Sequence, residues 1–397
     1  MFIFTKSLDV SRARLFWLAG YDVDISCEYP LMKNHRLRLP IVLAMVACFD
    51  VAIAAPECVL ELDQVPAKNV TQVWSPLFQA TWEQLMALHA GKLVNVEPPN
   101  ERIKGLQEFS WERGKVMPEN AYAVFAGPAT KEFAFDTADA IKKKFGVVID
   151  PSAMQGRPNG HAVFGILLRE LRFARGFYRS RKNPLPFESG DGKKHDVAFF
   201  GTAGSYSGQF DDHVKVLAYK DHGASFVLSI ETQHEGEDVV IYRPPQSVGF
   251  RAAIESVNAA RLVPLSGQYG SIDNGSLHRK DTVAIPYLTI DARTEFASEL
   301  SGALHFEGEK APWLISRAYQ MTQFELLEDG ARVRIEAGAD ADPFGPVEPA
   351  PKPPPIIPRK FICDRPFFVF LWKTEAAWPY LAVWVDGRDC LTPFIRQ

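Results

Sequence analysis

The sequence predicts an α+β protein with antiparallel sheets, and two features of the chain lead to this prediction. Helix-type patterns are concentrated in the first half and strand-type patterns in the second, without the βαβ alternation that a parallel sheet requires. The 28 Phe and 8 Trp residues are spread along the whole chain, which favours one large hydrophobic core. We therefore expect a single domain of about 340 residues, which is within the range of large single domains.

The amino-terminal region has the features of an export signal that is preceded by additional residues. A basic segment begins at Met32, an apolar stretch follows, and small residues up to Ala54 fit cleavage by signal peptidase. We interpret residues 32–54 as a signal peptide and 1–31 as an extension that results from a misplaced start codon. The mature domain is then 55–397, and the protein is expected to be secreted or periplasmic after cleavage near Ala54.

Composition and motifs argue against several classes of function. The formal net charge of −4 at pH 7 provides no basic surface for nucleic acid. After the predicted signal, no apolar run reaches the roughly 20 residues of a membrane-spanning helix. Neither an HExxH motif nor paired CxxC motifs occur, so no metal site and no cofactor are predicted. We expect a protein without catalytic activity.

Three helices are predicted from apolar residues at helical spacing. The first follows Ser75 and stops at Gly91, and the second begins at Thr130 and stops at Gly146. The third covers 293–304, where apolar residues recur every four positions. These residues are Phe296, Leu300 and Leu304.

Strand patterns dominate from about residue 195 onward. Short apolar or alternating runs are bounded by turn residues. The predicted strands are 196–200, 213–219, 226–232 and 239–242. Periodicity does not decide the apolar, arginine-rich segment 161–178, which fits either a helix or a buried strand.

The tail of the chain predicts a loop that is anchored in sheet at both ends. Residues 324–327 form a strand pattern that closes on a turn at 328–330, and 331–337 alternates small or apolar with charged residues at strand period. Half of the sixteen residues from 343 to 358 are proline. The chain then returns to a strand pattern at 364–371.

Three cysteines follow the predicted signal: Cys58, Cys363 and Cys390. The last two lie symmetrically about the turn between predicted strands 366–372 and 379–385. If those strands form a hairpin, its open ends bring Cys363 and Cys390 together, which predicts a disulfide in an oxidising compartment. Two buried thiols are the alternative, and Cys58 is unpaired in both cases.

Several segments of the second half occur in an informative order. They are Phe187 with Asp191–Lys194 and Val197–Phe200, Gly204–Tyr206, Val214–Asp221, Ile285–Leu304, Phe324–Gly330, Asp364–Leu371 and Ala382–Val385. In this order the segments resemble the serpin family. The similarity can be followed over about residues 125–394 and is poor over 55–124. The resemblance implies one domain in which helices pack on three mostly antiparallel β-sheets.

The resemblance also implies a function, the inhibition of serine proteases by a monomeric protein. Such a protein presents an exposed loop as bait. Cleavage lets the loop insert into a sheet as a new strand, which carries the covalently bound protease along with it. The family's usual loop length, counted from Glu328, places the reactive bond at Phe344–Gly345. An aromatic residue there would suit a chymotrypsin-like or subtilisin-like protease. The implied hinge residues are Glu328, Gly330, Ala331, Val333 and Ile335.

The hinge departs from the family's pattern at positions that matter for insertion. Short side chains are usual after Ala331, whereas this chain has Arg332, Arg334 and Glu336 with apolar residues between them. That alternation would suit a strand that is already in the sheet. A second function therefore stays open, a binding or structural protein with a permanently inserted loop. The proline-rich segment 338–360 would then lead back from the inserted strand to the next strand pattern, at 364–371. Binding to the groove of a partner protein and a plain linker are the alternatives for this segment.

Overall fold

The structure is a computed structural model of the chain. It describes residues 55–89, 91–157, 160–202, 209–265, 274–332 and 358–396. All of these residues fall in one unit, Ala52–Gln397. The predicted extension and signal peptide, 1–31 and 32–54, lie outside the described residues.

Five α-helices form within the described residues, and local sequence explains where they begin and end. They are α1 Leu77–Met86, α2 Glu101–Glu108, α3 Arg113–Val116, α4 Lys131–Phe145 and α5 Phe250–Leu262, with short 3₁₀ helices at Pro151–Met154 and Asp221–Gly223. The side chain of Thr130 caps α4 by accepting a hydrogen bond from the amide of Phe133, and Gly146 ends the helix with a φ of 73°. The helix predicted between these two residues is confirmed. Helix α1 confirms the first predicted helix but ends at Met86, before Gly91.

The described strands are numbered in chain order. Those of the first half are β1 Glu57–Val59, β2 Gln72–Trp74, β3 Leu93–Glu97, β4 Tyr122–Pro128, β5 Gly160–Leu168, β6 Leu171–Arg172, β7 Tyr178–Arg179, β8 Leu185–Glu188, β9 Lys194–Val197 and β10 Phe199–Gly201. Those of the second half are β11 Val214–Lys220, β12 Ser225–Glu231, β13 Glu237–Arg243, β14 Gly275–Ser276, β15 Thr282–Pro286, β16 Leu288–Glu295, β17 Ala303–Phe306, β18 Trp313–Leu327, β19 Gly330–Arg332, β20 Lys360–Ile362, β21 Phe367–Lys373 and β22 Leu381–Val385. The strands predicted at 213–219, 226–232 and 239–242 are confirmed, whereas the strand predicted at 196–200 is divided between β9 and β10. The undecided segment 161–178 contains strands and no helix. Its first part belongs to β5, which lies at the centre of a sheet and is buried along its length.

Two eight-stranded sheets, one four-stranded sheet and one two-stranded hairpin contain these strands. The buried sheet has the order β1-β2-β22-β21-β13-β12-β11-β14, and the small sheet has the order β20-β15-β10-β7. The main sheet contains β3, β17, β18, β19 and β6 in that order, with β16 and β5 also paired to β18 and β4 paired to β5. Among the described strands, the parallel pairs are β1–β2, β15–β20 and β5–β18. The prediction of an α+β fold with mostly antiparallel sheets is confirmed.

Hydrophobic side chains fill both sides of the main sheet. The larger core lies between the main and buried sheets and contains most of the aromatic residues, including the fully buried Trp372 and Trp384. A smaller cluster lies on the opposite face of the main sheet, where α4 covers it. The main sheet is therefore packed on two faces, which limits which side chains an additional strand could bring into it.

The helix predicted over 293–304 is wrong. Residues 288–295 instead form β16, which pairs antiparallel with β18 from Leu288↔Leu326 to Glu295↔Tyr319. Phe296, Leu300 and Leu304 are buried as predicted, but they lie in the turn after β16 and in β17. Three apolar residues at four-residue spacing do not distinguish a helix from a strand and turn, and the long edge of β18 decides in favour of the strand.

The predicted disulfide between Cys363 and Cys390 is not present in the structure, where both are buried free thiols. The hairpin that motivated it is confirmed, because β21 pairs antiparallel with β22 from Phe367↔Val385 to Leu371↔Leu381. The register does not extend to the cysteines. Before Phe367 the chain belongs to β20, which pairs with β15 in the small sheet. The sulfur of Cys390 instead lies 3.1 Å from the hydroxyl of Thr71.

Candidate functional site

The predicted hinge lies at the end of β18, where a tight turn leads into β19. The backbone carbonyl of Glu328 accepts a hydrogen bond from the amide of Phe177, at 2.7 Å. The carbonyl of Asp329 accepts one from the amide of Phe173, at 2.9 Å. These two bonds fix the turn to the segment that follows β6, so the hinge has a defined position on the main sheet.

After the turn, the chain enters the main sheet as β19, between β18 and β6. The antiparallel pairs with β18 are Leu327↔Gly330, Leu326↔Ala331 and Glu325↔Arg332. The pairs with β6 are Gly330↔Arg172 and Ala331↔Leu171. Two of the predicted hinge residues, Gly330 and Ala331, therefore already form part of a sheet strand.

Gly330 is required by the geometry of this entry point. Its φ is 139°, in the region that L-residues with a side chain rarely adopt. A Cβ atom at this position would lie 2.0 Å from the backbone oxygen of Leu171. Any side chain here would push β19 away from β6.

Beyond the end of β19, no gap remains beside β18 in the main sheet, because β5 pairs directly with it. Strand β5 pairs in parallel with β18 through nine residue pairs, from Leu314↔Gly160 to Gln323↔Leu168. The last of these pairs lies two residues along β18 from the Glu325↔Arg332 pair of β19. The edge of β18 is thus shared by two partners, β19 above and β5 below.

This pairing contradicts the hypothesis that the loop is permanently inserted. A seven-residue strand over 331–337 would need the edge of β18 that β5 occupies. Within the described residues, insertion comprises only Gly330–Arg332. The hinge residues Val333 and Ile335 lie outside the described residues, as do the predicted reactive-bond residues Phe344 and Gly345.

The two faces of β18 differ in their surroundings. Phe324 and Leu326 face the larger core and are buried. Met321 lies on the opposite face, in the cluster beneath α4 together with Phe164 and Ile166. A strand placed beside β18 would therefore need apolar or small side chains on one face along its whole length, and on the other face wherever α4 covers the sheet.

A buried ion pair that involves Arg359 fixes the start of β20. The guanidinium of Arg359 donates two hydrogen bonds to Oδ2 of Asp281, from Nε at 3.0 Å and from one terminal nitrogen at 2.7 Å. The amide of Arg359 donates to Oδ1 of the same carboxylate, at 2.8 Å. From here β20 runs parallel to β15, starting with Thr282↔Lys360. The predicted loop is therefore anchored in sheet at both ends.

Two structural features near the predicted loop were not predicted from the sequence. The Arg359–Asp281 pair joins residues 78 positions apart, and the only sequence signal was an arginine directly after the proline-rich run. Tyr287 is the second feature. Burial, and secondly the nearby carboxylate of Glu328, raise the pKa of its phenol, and the guanidinium of Arg179 lies 5.7 Å from its ring centroid. Tyr287 thus connects the hinge turn with the small sheet.

Neither a metal site nor a membrane-spanning helix is found in the part of the chain that the structure describes. It contains no group of three or more His, Cys, Asp or Glu side chains placed to bind a metal ion. None of its helices has the length and apolar character needed to cross a membrane.

Comparison with known proteins gives matches among solved structures. No family model and no curated protein sequence matches the chain. The chain is similar to the thermophilic serpin Tengpin in its native state, with a TM-score of 0.53, 12% sequence identity, and coverage of 83% of this chain and 91% of that one. It is also similar to serine protease inhibitor (serpin) 12 of Manduca sexta, with a TM-score of 0.50, 13% identity, and coverage of 80% and 92%. At such low identities the likeness concerns the fold.

Proposed function

We propose that this chain, which has the serpin fold, inhibits a serine protease through the segment that joins β19 to β20. The fold confirms the resemblance that the sequence predicted. The observation that carries the proposal is the shared edge of β18, where the loop has begun to enter a sheet that is closed by β5 directly below. In this arrangement, further insertion would have to separate only one pair of strands, β5 and β18.

Further insertion would be favoured by backbone pairing. Strand β19 runs antiparallel to β18, and β5 runs parallel to β18. A longer β19 between them would run antiparallel to both. It would replace one parallel ladder with two antiparallel ladders, and antiparallel pairing is slightly more stable per residue. Cleavage of the loop would release the residues that this longer strand needs.

The register of β19 indicates which side chains an extended strand would carry. Continued from Glu325↔Arg332, it would place Val333 opposite Phe324 and Ile335 opposite Thr322. Both partners are buried. Apolar side chains suit these positions, so the predicted hinge residues are compatible with insertion on that face.

The other face favours a second candidate function. In the same register Glu336 would lie opposite Met321, in the apolar cluster beneath α4. A carboxylate without a partner in such a place carries a large desolvation penalty, unless α4 moves away. Insertion could then stall after a few residues. A secreted serpin-fold protein that binds a partner without trapping a protease is the second candidate.

Incubation of the protein with chymotrypsin and with subtilisin tests the proposal. We expect an SDS-stable complex, with the chain cut after Phe344, because an aromatic residue fits the deep primary pocket of these proteases. Phe344→Ala should slow complex formation with chymotrypsin by about 100-fold, since a hydrophobic pocket discriminates on this scale. Peptide mass mapping locates the cut. Cleavage without a complex, and without a gain in thermal stability afterwards, would reject inhibition and leave the second candidate.

A matched pair of glycine variants tests whether β19 is part of the mechanism. Gly330→Ala places a methyl group against the Leu171 carbonyl, so we expect β19 to leave the sheet and the protein to become a substrate that is cut without a complex. Gly308→Ala is the control, because Gly308 also has a positive φ, of 79°, but no atom within 4 Å of the added Cβ. The fraction of protease trapped per molecule cleaved is measured on denaturing gels. Equal trapping by the two variants would exclude β19 from the mechanism.

A further inference from the structure

Strand β4 forms one edge of the main sheet. Among the described strands it pairs only with β5, from Tyr122↔Leu167 to Pro128↔His161. Strand β5 is buried at every position, whereas five of the seven residues of β4 are partly exposed. The sequence of β4, YAVFAGP, contains no charged residue. An apolar edge strand of this kind is a template for pairing with another strand.

Every second residue of β4 directs its backbone groups away from β5. The amide of Leu168 donates to the carbonyl of Ala121, and the amide of Ala129 donates to the carbonyl of Gly160, both at 2.8 Å. In an antiparallel ladder, residues that bond to the neighbouring strand alternate with residues whose amide and carbonyl point outward. The odd-numbered residues of β4 therefore bond to β5. The residues that face outward are Tyr122, Val124, Ala126 and Pro128.

The two ends of this outer edge are closed, and its middle is open. At one end, the ammonium of Lys144 on α4 donates to the carbonyl of Tyr122, at 2.7 Å. At the other end, Pro128 has no amide hydrogen to donate. Between them, the amides and carbonyls of Val124 and Ala126 have no hydrogen-bond partner among the described residues. Four strand-pairing groups are thus left for a partner.

These four groups match those of a second copy of the same edge. When two β4 strands pair antiparallel about a two-fold axis at Phe125, Val124 lies opposite Ala126 of the second copy. The amide of each residue then donates to the carbonyl of the other. Because the symmetry repeats this pair on the other side of the axis, all the open groups of both copies are satisfied.

The closed ends of the edge are compatible with the same register. Tyr122 lies opposite Pro128 of the second copy, so the carbonyl that Lys144 occupies meets the residue without an amide hydrogen. A two-fold axis at Val124 would direct the amide of Ala126 at this occupied carbonyl. An axis at Ala126 would leave the carbonyl of Val124 opposite Pro128. The backbone of β4 therefore selects the axis at Phe125.

Charges along α4 favour the same antiparallel arrangement. Helix α4 follows β4 and runs back along it, because its Lys144 reaches Tyr122 at the far end of the strand. The acidic residues exposed on α4 are Glu132, Asp136 and Asp139, and the basic residues exposed in its last turn are Lys142, Lys143 and Lys144. Lys131 in the first turn lies over the ring of Phe135, at 5.7 Å. The two-fold axis places the acidic part of one α4 beside the basic end of the other.

We propose that this protein forms a two-fold symmetric dimer, in which the β4 edges of two copies pair and join their main sheets into one continuous sheet. The two Phe125 side chains meet at the axis, where an aromatic cross-strand pair is favourable. Since each copy contributes only one strand and one helix, the dissociation constant is expected to lie in the micromolar range. The dimer departs from the monomer that the resemblance implied, and it does not depend on protease inhibition.

Sedimentation velocity over a series of protein concentrations tests for the dimer, and hydrogen–deuterium exchange of 122–128 locates it. We expect a change from monomer to dimer as the concentration rises. Exchange in 122–128 should slow over the same concentrations, because the amides of Val124 and Ala126 become hydrogen-bonded. A monomer at every concentration would overturn the proposal. Slow exchange that does not depend on concentration would also overturn it, because another segment of the same chain would then cover the edge.

A proline variant tests the pairing of the two strands. Ala126→Pro removes an outward amide that the β4–β5 ladder does not use, so β4 should stay in the sheet. Symmetry removes two hydrogen bonds per dimer, and we expect dimerisation to weaken by about 30-fold. Ala126→Ser keeps the amide and is the control, with circular dichroism to show that both variants are folded. If both variants dimerise equally well, another surface forms the dimer and the proposal fails.

Charge reversal tests the arrangement of the helices. Lys143→Glu and Glu132→Lys should each weaken self-association by about tenfold, because each places like charges across the axis. A mixture of these two single variants should form a heterodimer with the affinity of the unsubstituted protein, since both cross-axis pairs are then of opposite charge. A change confined to one helix cannot be rescued by a second molecule in this way. A mixture that associates no better than either variant alone would exclude the antiparallel arrangement.

Discussion

Replacing Asp281 with alanine is expected to lower the free energy of unfolding by about 3–5 kcal/mol, because it leaves a buried arginine without its charge partner. Asp281 is fully buried and Arg359 is 5% exposed. Besides Arg359, the carboxylate accepts a hydrogen bond from the backbone amide of His278, at 2.8 Å. All of these bonds are lost in the variant. Urea denaturation monitored by tryptophan fluorescence measures the effect.

The exposed pair Asp291–Arg293 provides the matched control. Its N–O distance of 2.8 Å is close to the 2.7 Å of the buried pair, but both side chains are about half exposed. Asp291→Ala should change stability by no more than about 1 kcal/mol, as is typical of surface ion pairs. The double variant Asp281→Leu with Arg359→Met should recover much of the lost stability, because it leaves no unpaired charge. If Asp281→Ala and Asp291→Ala lower the free energy of unfolding equally, the buried pair does not stabilise the start of β20 more than a surface ion pair would.

Acidification is expected to weaken the closed main sheet through His161. This residue is 5% exposed in β5 and lies opposite Ile315 in the pairing with β18. Its ring packs edge to face on Trp313, at 4.4 Å, and lies 5.3 Å from the ring of His89. Burial, and secondly the nearby His89, lower the pKa of His161 to about 4, while the carboxylate of Glu309 acts in the opposite direction.

The direction of the pH effect follows from this lowered pKa. The unfolded chain binds a proton at His161 near pH 6.5, whereas the folded protein resists protonation until about pH 4. The contribution to stability is therefore fully present above pH 6.5 and is lost as the pH falls through this window, by at most about 3 kcal/mol. Since His161 lies on the pairing that insertion would separate, the same acidification should make the β5–β18 pairing easier to open.

Comparison of variants isolates this contribution from that of other titrating groups. His161→Gln should flatten the dependence of unfolding free energy on pH between 6.5 and 4 relative to the unsubstituted protein. His213→Gln is the control for the removal of an imidazole, because His213 is partly exposed and lies 2.9 Å from Glu231 on the surface. Urea denaturation at a series of pH values gives both curves. If the curve of His161→Gln is parallel to that of the unsubstituted protein, protonation of His161 does not weaken the main sheet.

Local sequence was sufficient for elements whose ends are marked by single residues. Thr130 and Gly146 bound α4, and the apolar runs of β12 and β13 on either side of a turn were predicted as strands. The order of the segments between Phe187 and Val385 was sufficient to predict the fold. In each case the signal lies within a few residues of the element that it specifies, or in the sequence of elements along the chain.

Tertiary structure decided the features that depend on which strand meets which edge. The sequence 331–337 is compatible with an inserted strand, but β5, more than 150 residues earlier in the chain, occupies most of the edge of β18 that such a strand needs. The same kind of long-range pairing makes 288–295 a strand rather than part of a helix, and draws Cys363 into the small sheet away from a disulfide. A strand can be recognised from its own alternation, whereas its partner is chosen by burial and hydrogen bonding across the whole core.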